Sequence, residues 1–235
     1  MNGIDTCRCF TMLYFLTKVL LLTSLIFIYC EFLIYYFTLL GCSWSQLSKV
    51  DQDFAVQSPK NPNKNPLHIM LVADTHLISP YEDHWFNKLR REWQMYLSFQ
   101  SANFLFEPKI VFFLGDLTNQ GERYSDYEWN NTIERFHSLF SISSNTNLYV
   151  LAGNHDIGFH SQVTDRTLQR FEQTFHTPHV RLLTINNDDD GDNIYFILIN
   201  SIAFEGDQCR LCERAERELN QIITILNRTR SSIKP

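Results

Sequence analysis

The 235-residue sequence predicts a layered α/β domain with parallel strands, preceded by a membrane-spanning helix. Three observations support this prediction. A long apolar stretch occupies the N-terminus, strand-like and helix-like segments alternate after it, and three of the strand-like runs end in short polar strings. Short apolar runs that end at Gly or Asp are typical of buried parallel strands, and a β-α-β-α-β order places helices against such a sheet.

The N-terminal apolar stretch is long enough to cross a bilayer. Between residues 10 and 40 only Lys18 and Glu31 are charged, and a bilayer core requires about 20 apolar residues in a helix. We assign residues 1–18 to a short cytoplasmic tail and residues 19–42 to a transmembrane anchor. A cleaved signal peptide is the alternative, but its apolar region is about 7–15 residues long, so the length favours an uncleaved anchor.

The orientation of the anchor depends on weaker signals. Basic residues flank the apolar stretch almost equally and therefore do not decide between the two orientations. Two glycosylation sequons begin at Asn130 and Asn227, and they are usable only if the domain faces the lumen of the secretory pathway. The sequons favour a single-pass type II protein with a lumenal domain.

A polar, proline-containing segment at residues 43–66 predicts a linker, and residues 67–235 form the predicted domain. Three strand-like runs lie at residues 67–73, 109–114 and 147–152. Apolar spacing and the positions of proline predict the remaining elements. These are helices at 84–106, 125–140, 165–175 and 213–227, and strands at 180–185 and 193–200.

The polar strings that follow the three parallel strands contain the side chains that bind metal ions in proteins. Asp74 and His76 follow the first strand, Asp116 follows the second, and Asn154 follows the third. Ligands bind at the carboxyl ends of strands in open α/β sheets, so we expect these four side chains to converge on metal ions. The ordered combination of all three strings is far more specific than a single Asp-x-His or Gly-Asp pair.

Two further residues of the third string are candidate catalytic residues. His155 is adjacent to the predicted ligands and can donate to a phosphoryl oxygen or to a leaving group, and Asp156 is expected to hold the His155 ring in one tautomer. Mixed carboxylate, amide and imidazole donors suit a pair of divalent ions about 3.5–4 Å apart. We expect manganese as the first choice, with iron or zinc as alternatives.

Other features restrict the class of protein. The net charge is −6 and no basic stripe with interleaved aromatic residues is present, so nucleic acid is not the expected partner. Cys209 and Cys212 form a C-x-x-C pair without a second pair to complete a zinc knuckle. In a lumenal domain we expect a local disulfide between them. The sequence contains no signal for an oligomeric state.

The polar strings resemble those of the calcineurin-like metallophosphoesterase family. The similarity is closest to the eukaryotic membrane-anchored members, which remodel glycosylphosphatidylinositol (GPI) anchors in the early secretory pathway. It extends over about residues 67–226. The strings that support it are ADTHL at 73–77, KLRREWQM at 88–95, GNHDIGF at 153–159, NSIA at 200–203 and GD at 206–207, followed by the cysteine pair.

The resemblance implies the N-terminal part of a layered β-sandwich flanked by helices. It also implies that Asp74, His76 and Asp116 hold one metal ion, that Asp116 and Asn154 hold a second, and that His155 acts at the phosphate. The implied reaction is metal-dependent hydrolysis of a phosphodiester, with ethanolamine phosphate on a GPI-anchor mannose as the substrate. The implied compartment is the ER exit sites or the Golgi.

Two features depart from the family pattern. The string LTNQG at 117–121 lacks two acidic residues that the family has beside Asp116, so we expect weaker metal binding. No Gly-His-x-His string is present, and no histidine follows residue 193, although the family uses such later histidines as metal ligands. We therefore expect an incomplete domain, inactive or nearly so as a 235-residue chain. A truncated, non-catalytic membrane protein that binds a partner or glycan is the alternative, and a cytosolic phosphoprotein phosphatase is the third possibility.

Overall fold

The structure is a computed structural model that describes residues 3–43, 67–186, 193–204 and 209–233. The predicted linker therefore lies outside the described residues except for its first position. Residues 187–192, an acidic segment between the last two predicted strands, also lie outside them.

A single long apolar helix forms the N-terminus. It comprises α1 (Gly3–Ile28), one wider π-helical turn (Tyr29–Leu33) and α2 (Ile34–Leu40). Within it, Met12–Leu40 spans 29 residues with a mean hydropathy of 2.0, and none of this span is buried inside the protein. The helix is long and apolar enough to cross a membrane, and the same properties suit an anchor or a signal sequence. No change of secondary structure marks the boundary that we place at residue 19.

The predicted parallel sheet is confirmed. Its three strands are β1 (Ile69–Val72), β2 (Ile110–Phe113) and β3 (Asn147–Val150), and they are parallel in the order β1-β2-β3. Two helices make the crossover connections, α3 (Trp85–Phe106) between β1 and β2 and α4 (Asp126–Leu139) between β2 and β3. This order brings the carboxyl ends of all three strands to one edge of the sheet.

The chain after β3 adds a second layer. A short helix, α5 (Asn154–Ile157), and a longer one, α6 (Asp165–Phe175), lead into an antiparallel hairpin of β4 (Val180–Asn186) and β5 (Asn193–Ile199). The final helix is α7 (Arg210–Ile233), which extends beyond both ends of the predicted helix at 213–227. The observed order of elements confirms the predicted layered α/β fold.

Strand β2 is the centre of the domain because both of its faces are buried. Val111 and Phe113 pack into a core shared with the helices, whereas Ile110 and Phe112 pack against the β4-β5 hairpin. Alternation of this kind follows from the two-residue period of a strand. The helix-side core also contains Phe99, Trp129, Phe136, Phe140, Leu168 and Phe171.

The ends of the helices follow from local capping chemistry. Ser125 caps α4, since its hydroxyl accepts a hydrogen bond from the Glu128 N–H while the Glu128 carboxylate accepts one from the Ser125 N–H. Helix α3 ends at Glu107, which has a left-handed backbone with φ of 42° and precedes Pro108, a residue that cannot continue the helix.

Candidate metal centre

Hydrogen bonds continue between the chain segments that follow β1 and β2. The Asp74 N–H donates to Gly115 O at 3.2 Å, and the His76 N–H donates to Asp116 O at 3.0 Å. The first two polar strings are therefore held side by side beyond the end of the sheet. This pairing explains why ligand residues from distant parts of the sequence become neighbours.

The backbone at these ligand positions is strained. Asp74, His76 and Asp116 all have left-handed conformations, with φ angles of 57°, 44° and 52°. Such conformations cost about 1–2 kcal/mol for a residue other than glycine. They persist only where surrounding interactions hold them, and they are concentrated at functional sites. The strain therefore marks the first two strings as a candidate site independently of their sequence.

Two glycines allow the third string to approach the second. A Cβ atom on Gly153 would overlap the backbone nitrogen and Oδ1 of Asp116, and one on Gly115 would lie 2.8 Å from Gly153 Cα. Gly115 also has a φ of 107°, a conformation that favours glycine. The close contact lets the His155 N–H donate to Asp116 Oδ1 at 2.9 Å.

Three side chains from three different strand ends converge at this edge of the sheet. The candidate ligand atoms of His76, Asp116 and His155 all lie within 4.8 Å of one another, and each residue is half-buried. The two imidazole rings meet edge to face with centroids 4.6 Å apart. Two imidazoles and a carboxylate form a donor set that suits manganese, iron or zinc, so the residues present fit a divalent metal ion.

The other two predicted ligands lie beside this cluster. Asp74 Oδ1 is 3.7 Å from His76 Nε2, and its side chain is 67% exposed. Asn154 is the first residue of α5, immediately before His155, and is half-buried. Their positions are compatible with metal binding, and their roles as ligands remain predictions.

Asp156 does not contact the His155 ring, so the prediction that it fixes the tautomer of His155 is wrong. Its buried carboxylate accepts hydrogen bonds from the N–H groups of Leu117, Thr118 and Gly153 and from the Thr118 hydroxyl, at 2.9–3.3 Å. Burial raises the pKa of this carboxyl to about 6, although these hydrogen bonds favour its charged form. The hydrogen bonds of Asp156 thus connect the third polar string with the residues that directly follow the second.

A backbone carbonyl holds the His155 ring instead. Its Nδ1 lies 2.6 Å from Asn119 O, and because a carbonyl oxygen can only accept, Nδ1 carries the proton in this hydrogen bond. The lone pair is then on Nε2, which can bind a metal ion or take up a proton for donation to a phosphoryl oxygen. The Asn119 carbonyl was missed because a backbone contact has no signal in the sequence.

Charged residues on α3 hold the first ligand string in place. The Lys88 ammonium donates to Ser79 O and Pro80 O, both at 2.8 Å, and the Arg91 guanidinium donates to His76 O at 3.3 Å. These residues belong to the string at 88–95 that carries the family resemblance without any evident catalytic role. The structure gives the string a positioning role.

Glu92 also helps to hold the segment after the first ligand string, and it acts through Arg135 of the neighbouring helix α4. It forms an ion pair with Arg135 of α4, and Arg135 donates to Ile78 O at 2.8 Å. Lys88, Arg91 and Glu92 are three and four residues apart, a spacing that places them on one face of the helix. That charged face beside a predicted ligand string is the sequence signal that could have identified them.

The comparison with known protein families agrees with this geometry. The model of the calcineurin-like phosphoesterase family matches residues 67–223, which include β1 to β5 and all three polar strings. The chain belongs to the calcineurin-like phosphoesterase family. Members of this family use divalent metal ions, in agreement with the donor set formed by His76, Asp116 and His155.

Similar curated proteins share one name. The chain is 39% identical to Metallophosphoesterase 1 of Danio rerio over 202 residues, which are 86% of this chain and 49% of that protein. It is 39% identical to Metallophosphoesterase 1 of Xenopus laevis over 237 residues, covering 100% and 56% of the two chains. For the Gallus gallus protein of that name the identity is 41% over 213 residues, covering 91% and 51%. The chain therefore spans about half the length of the curated relatives it matches.

Proposed function

We propose that this chain contributes the N-terminal part of a two-metal centre that hydrolyses a phosphodiester. The convergence of His76, Asp116 and His155 from three strand ends is the observation that carries this proposal. Their donors, the strained backbone beneath them and membership of a phosphoesterase family support the same chemistry.

The residues of this chain have distinct roles in the proposed reaction. Asp74, His76, Asp116 and Asn154 would hold the divalent ions, with Asp116 contributing to both. When bound, the ions supply an activated water and neutralise charge on the phosphoryl oxygens. His155, oriented by a backbone carbonyl, donates a proton to the phosphoryl group or to the leaving oxygen once its Nε2 is protonated.

We propose the GPI-anchor glycan as the substrate, with removal of ethanolamine phosphate from a mannose as the reaction. Several observations support this proposal without testing it. The relatives are phosphoesterases by name, the apolar N-terminal helix can keep the domain at a membrane surface, and two sequons suit a lumenal domain. We place the protein in the ER exit sites or the Golgi as a type II protein, with manganese as its first-choice metal.

Binding of Mn²⁺ to the purified 235-residue chain in detergent tests the centre. We expect Asp116→Asn to weaken Mn²⁺ binding by more than about tenfold, since it removes a charged ligand. The amide oxygen of the variant can still accept the hydrogen bond from the His155 N–H, so the fold should remain. Asp126→Asn is the matched control, because Asp126 is an exposed residue paired with Arg166. Unchanged Mn²⁺ binding by Asp116→Asn would contradict the proposed centre.

Hydrolysis of bis-p-nitrophenyl phosphate tests the reaction. It is measured on the 235-residue chain and on the full product of its gene, each with the same two substitutions. We expect Mn²⁺-dependent hydrolysis by the full product that Asp116→Asn abolishes and Asp126→Asn preserves, and little or none by the 235-residue chain alone. Mn²⁺ binding without hydrolysis by either protein would favour the non-catalytic alternative.

A further inference from the structure

A second cluster of metal-binding side chains lies outside the centre described above. It consists of His160, in the single turn His160–Gln162 after α5, together with Cys209 and Cys212 at the start of α7. Their candidate ligand atoms all lie within 4.8 Å of one another. The disulfide that we expect between the two cysteines in a lumenal domain is the competing state of this pair, because metal binding requires both of them as thiolates.

The two cysteines are held in the arrangement of a metal-binding turn. The Cys212 N–H donates to the sulfur of Cys209 at 3.0 Å, and Cys212 itself is fully buried. Cys209 directly precedes α7, where the positive end of the helix dipole favours negative charge on a side chain. A hydrogen-bond donor and a helix N-terminus together provide the environment that a metal-bound thiolate requires.

A backbone carbonyl also orients the histidine of this cluster. Nδ1 of His160 lies 3.3 Å from Ile202 O. A carbonyl oxygen can only accept, so Nδ1 is the protonated nitrogen and Nε2 carries the lone pair. Metal-binding histidines commonly donate their other ring N–H to a carbonyl in this manner, which fixes both the tautomer and the direction of the ring.

We propose that His160, Cys209 and Cys212 bind one zinc ion. Two thiolates and an imidazole are the donors that select zinc among the common divalent metals. Tetrahedral zinc, with bonds of about 2.3 Å to sulfur and about 2.0–2.1 Å to nitrogen, separates its ligand atoms by about 3.5–3.8 Å. The observed separations, each within 4.8 Å, need to contract by about 1.3 Å at most, which side-chain rotation can supply.

The surroundings leave the fourth coordination position accessible. His160 and Cys209 line part of a cavity of about 510 Å³, with Asp165, Arg210 and Arg214 also at its walls. Three protein ligands and an open position are typical of zinc sites that retain a water molecule or bind an exchangeable ligand. Zinc here would also join the N-terminus of α7 to the segment after α5, the helix that carries His155 of the first metal centre.

Cobalt(II) is a specific probe of this site because thiolate ligands give it a charge-transfer absorption. The centre at Asp116 offers only oxygen and nitrogen donors and cannot produce that band. We expect the full 235-residue chain, purified under reducing conditions, to reach a maximum of this absorption at one equivalent of cobalt. The intensity of the band, or the affinity for cobalt, should fall in Cys209→Ser and in His160→Asn, and zinc should displace the band in the wild-type chain.

Two control variants separate this site from others. Cys42→Ser removes an exposed cysteine and Asp116→Asn removes a ligand of the first centre, so both should retain the full absorption. Circular dichroism identifies any variant that fails to fold, and Cys209→Ser, at a half-buried position, avoids the fully buried Cys212. Absence of the band in the reduced wild-type chain would overturn the proposal. So would a Cys209–Cys212 disulfide, detected by mass spectrometry in protein isolated from cells without reductant.

Discussion

His155 and Asp156 are adjacent in the sequence but face opposite environments. They occupy consecutive positions of α5, and consecutive helical residues point about 100° apart. His155 consequently faces the cluster with His76 and Asp116, whereas Asp156 turns inward and becomes fully buried. A carboxylate directly after a candidate metal ligand therefore has a structural role, because its hydrogen bonds hold the strings that present the ligands.

The role of Asp156 predicts a loss of stability rather than a selective loss of catalysis. Asp156→Asn replaces one acceptor oxygen with an NH₂ group that faces N–H donors in the buried site. We expect the free energy of unfolding to fall by about 3 kcal/mol, measured by urea denaturation at pH 8, above the pKa of about 6 for this carboxyl.

Asp126→Asn is again the control, with an expected change within about 0.5 kcal/mol, as for most surface substitutions. A variant Asp156→Asn that keeps the stability of the wild type but loses only hydrolysis would restore Asp156 as a catalytic residue.

At the scale of the elements, local signals predicted the secondary structure and the parallel sheet. The apolar run of β2 and Pro108 at the end of α3 act within a few residues, so the sequence displays them directly. The direction of the Asp156 side chain and the acceptor carbonyl of Asn119 depend on contacts between distant segments. Spacing along the chain does not encode those contacts.

The packing of α3 against the first ligand string is also a long-range feature with a measurable consequence. Arg135 of α4 donates to Ile78 O and pairs with Glu92 of α3, and its side chain is only 21% exposed. We expect Arg135→Met to lower the free energy of unfolding by about 2 kcal/mol, because a hydrogen bond from a charged donor is lost and Glu92 loses its partner.

The same substitution should weaken Mn²⁺ binding, since Ile78 is two residues from His76 and its carbonyl loses its donor. Thermal unfolding and Mn²⁺ titration measure the two effects. Arg123→Met is the matched control, because the Arg123 side chain is 72% exposed and pairs only with its neighbour Glu122 among the contacts described. Normal Mn²⁺ affinity in a destabilised Arg135→Met protein would show that α3 does not position the ligand string.

At the scale of the whole molecule, the apolar N-terminal helix and the domain meet at α3. The rings of Phe32 and Trp93 pack edge to face with centroids 5.2 Å apart. Phe86 and Leu89 line a neighbouring cavity of about 300 Å³ together with Phe27 of the N-terminal helix. The helix that contacts the candidate membrane span thus also holds the first ligand string through Arg91 and Lys88. Phe27 and Phe32 lie inside the predicted anchor at residues 19–42, so insertion of that anchor into a bilayer requires these contacts with α3 to separate.

The orientation of the whole molecule can be tested at Asn130. The Asn130 side chain is exposed on α4, whereas Thr132, the third residue of its sequon, is fully buried. Glycan attachment at this sequon must therefore precede folding, as it does only for a chain that enters the lumen during synthesis.

We expect a peptide-N-glycosidase-sensitive mobility shift in protein expressed in eukaryotic cells, with one step lost in Asn130→Gln and the other in Asn227→Gln. Asn131→Gln changes the neighbouring amide but preserves the sequon, so it should retain both glycans. An unglycosylated wild-type protein would count against the type II topology, because both sequon asparagines are exposed.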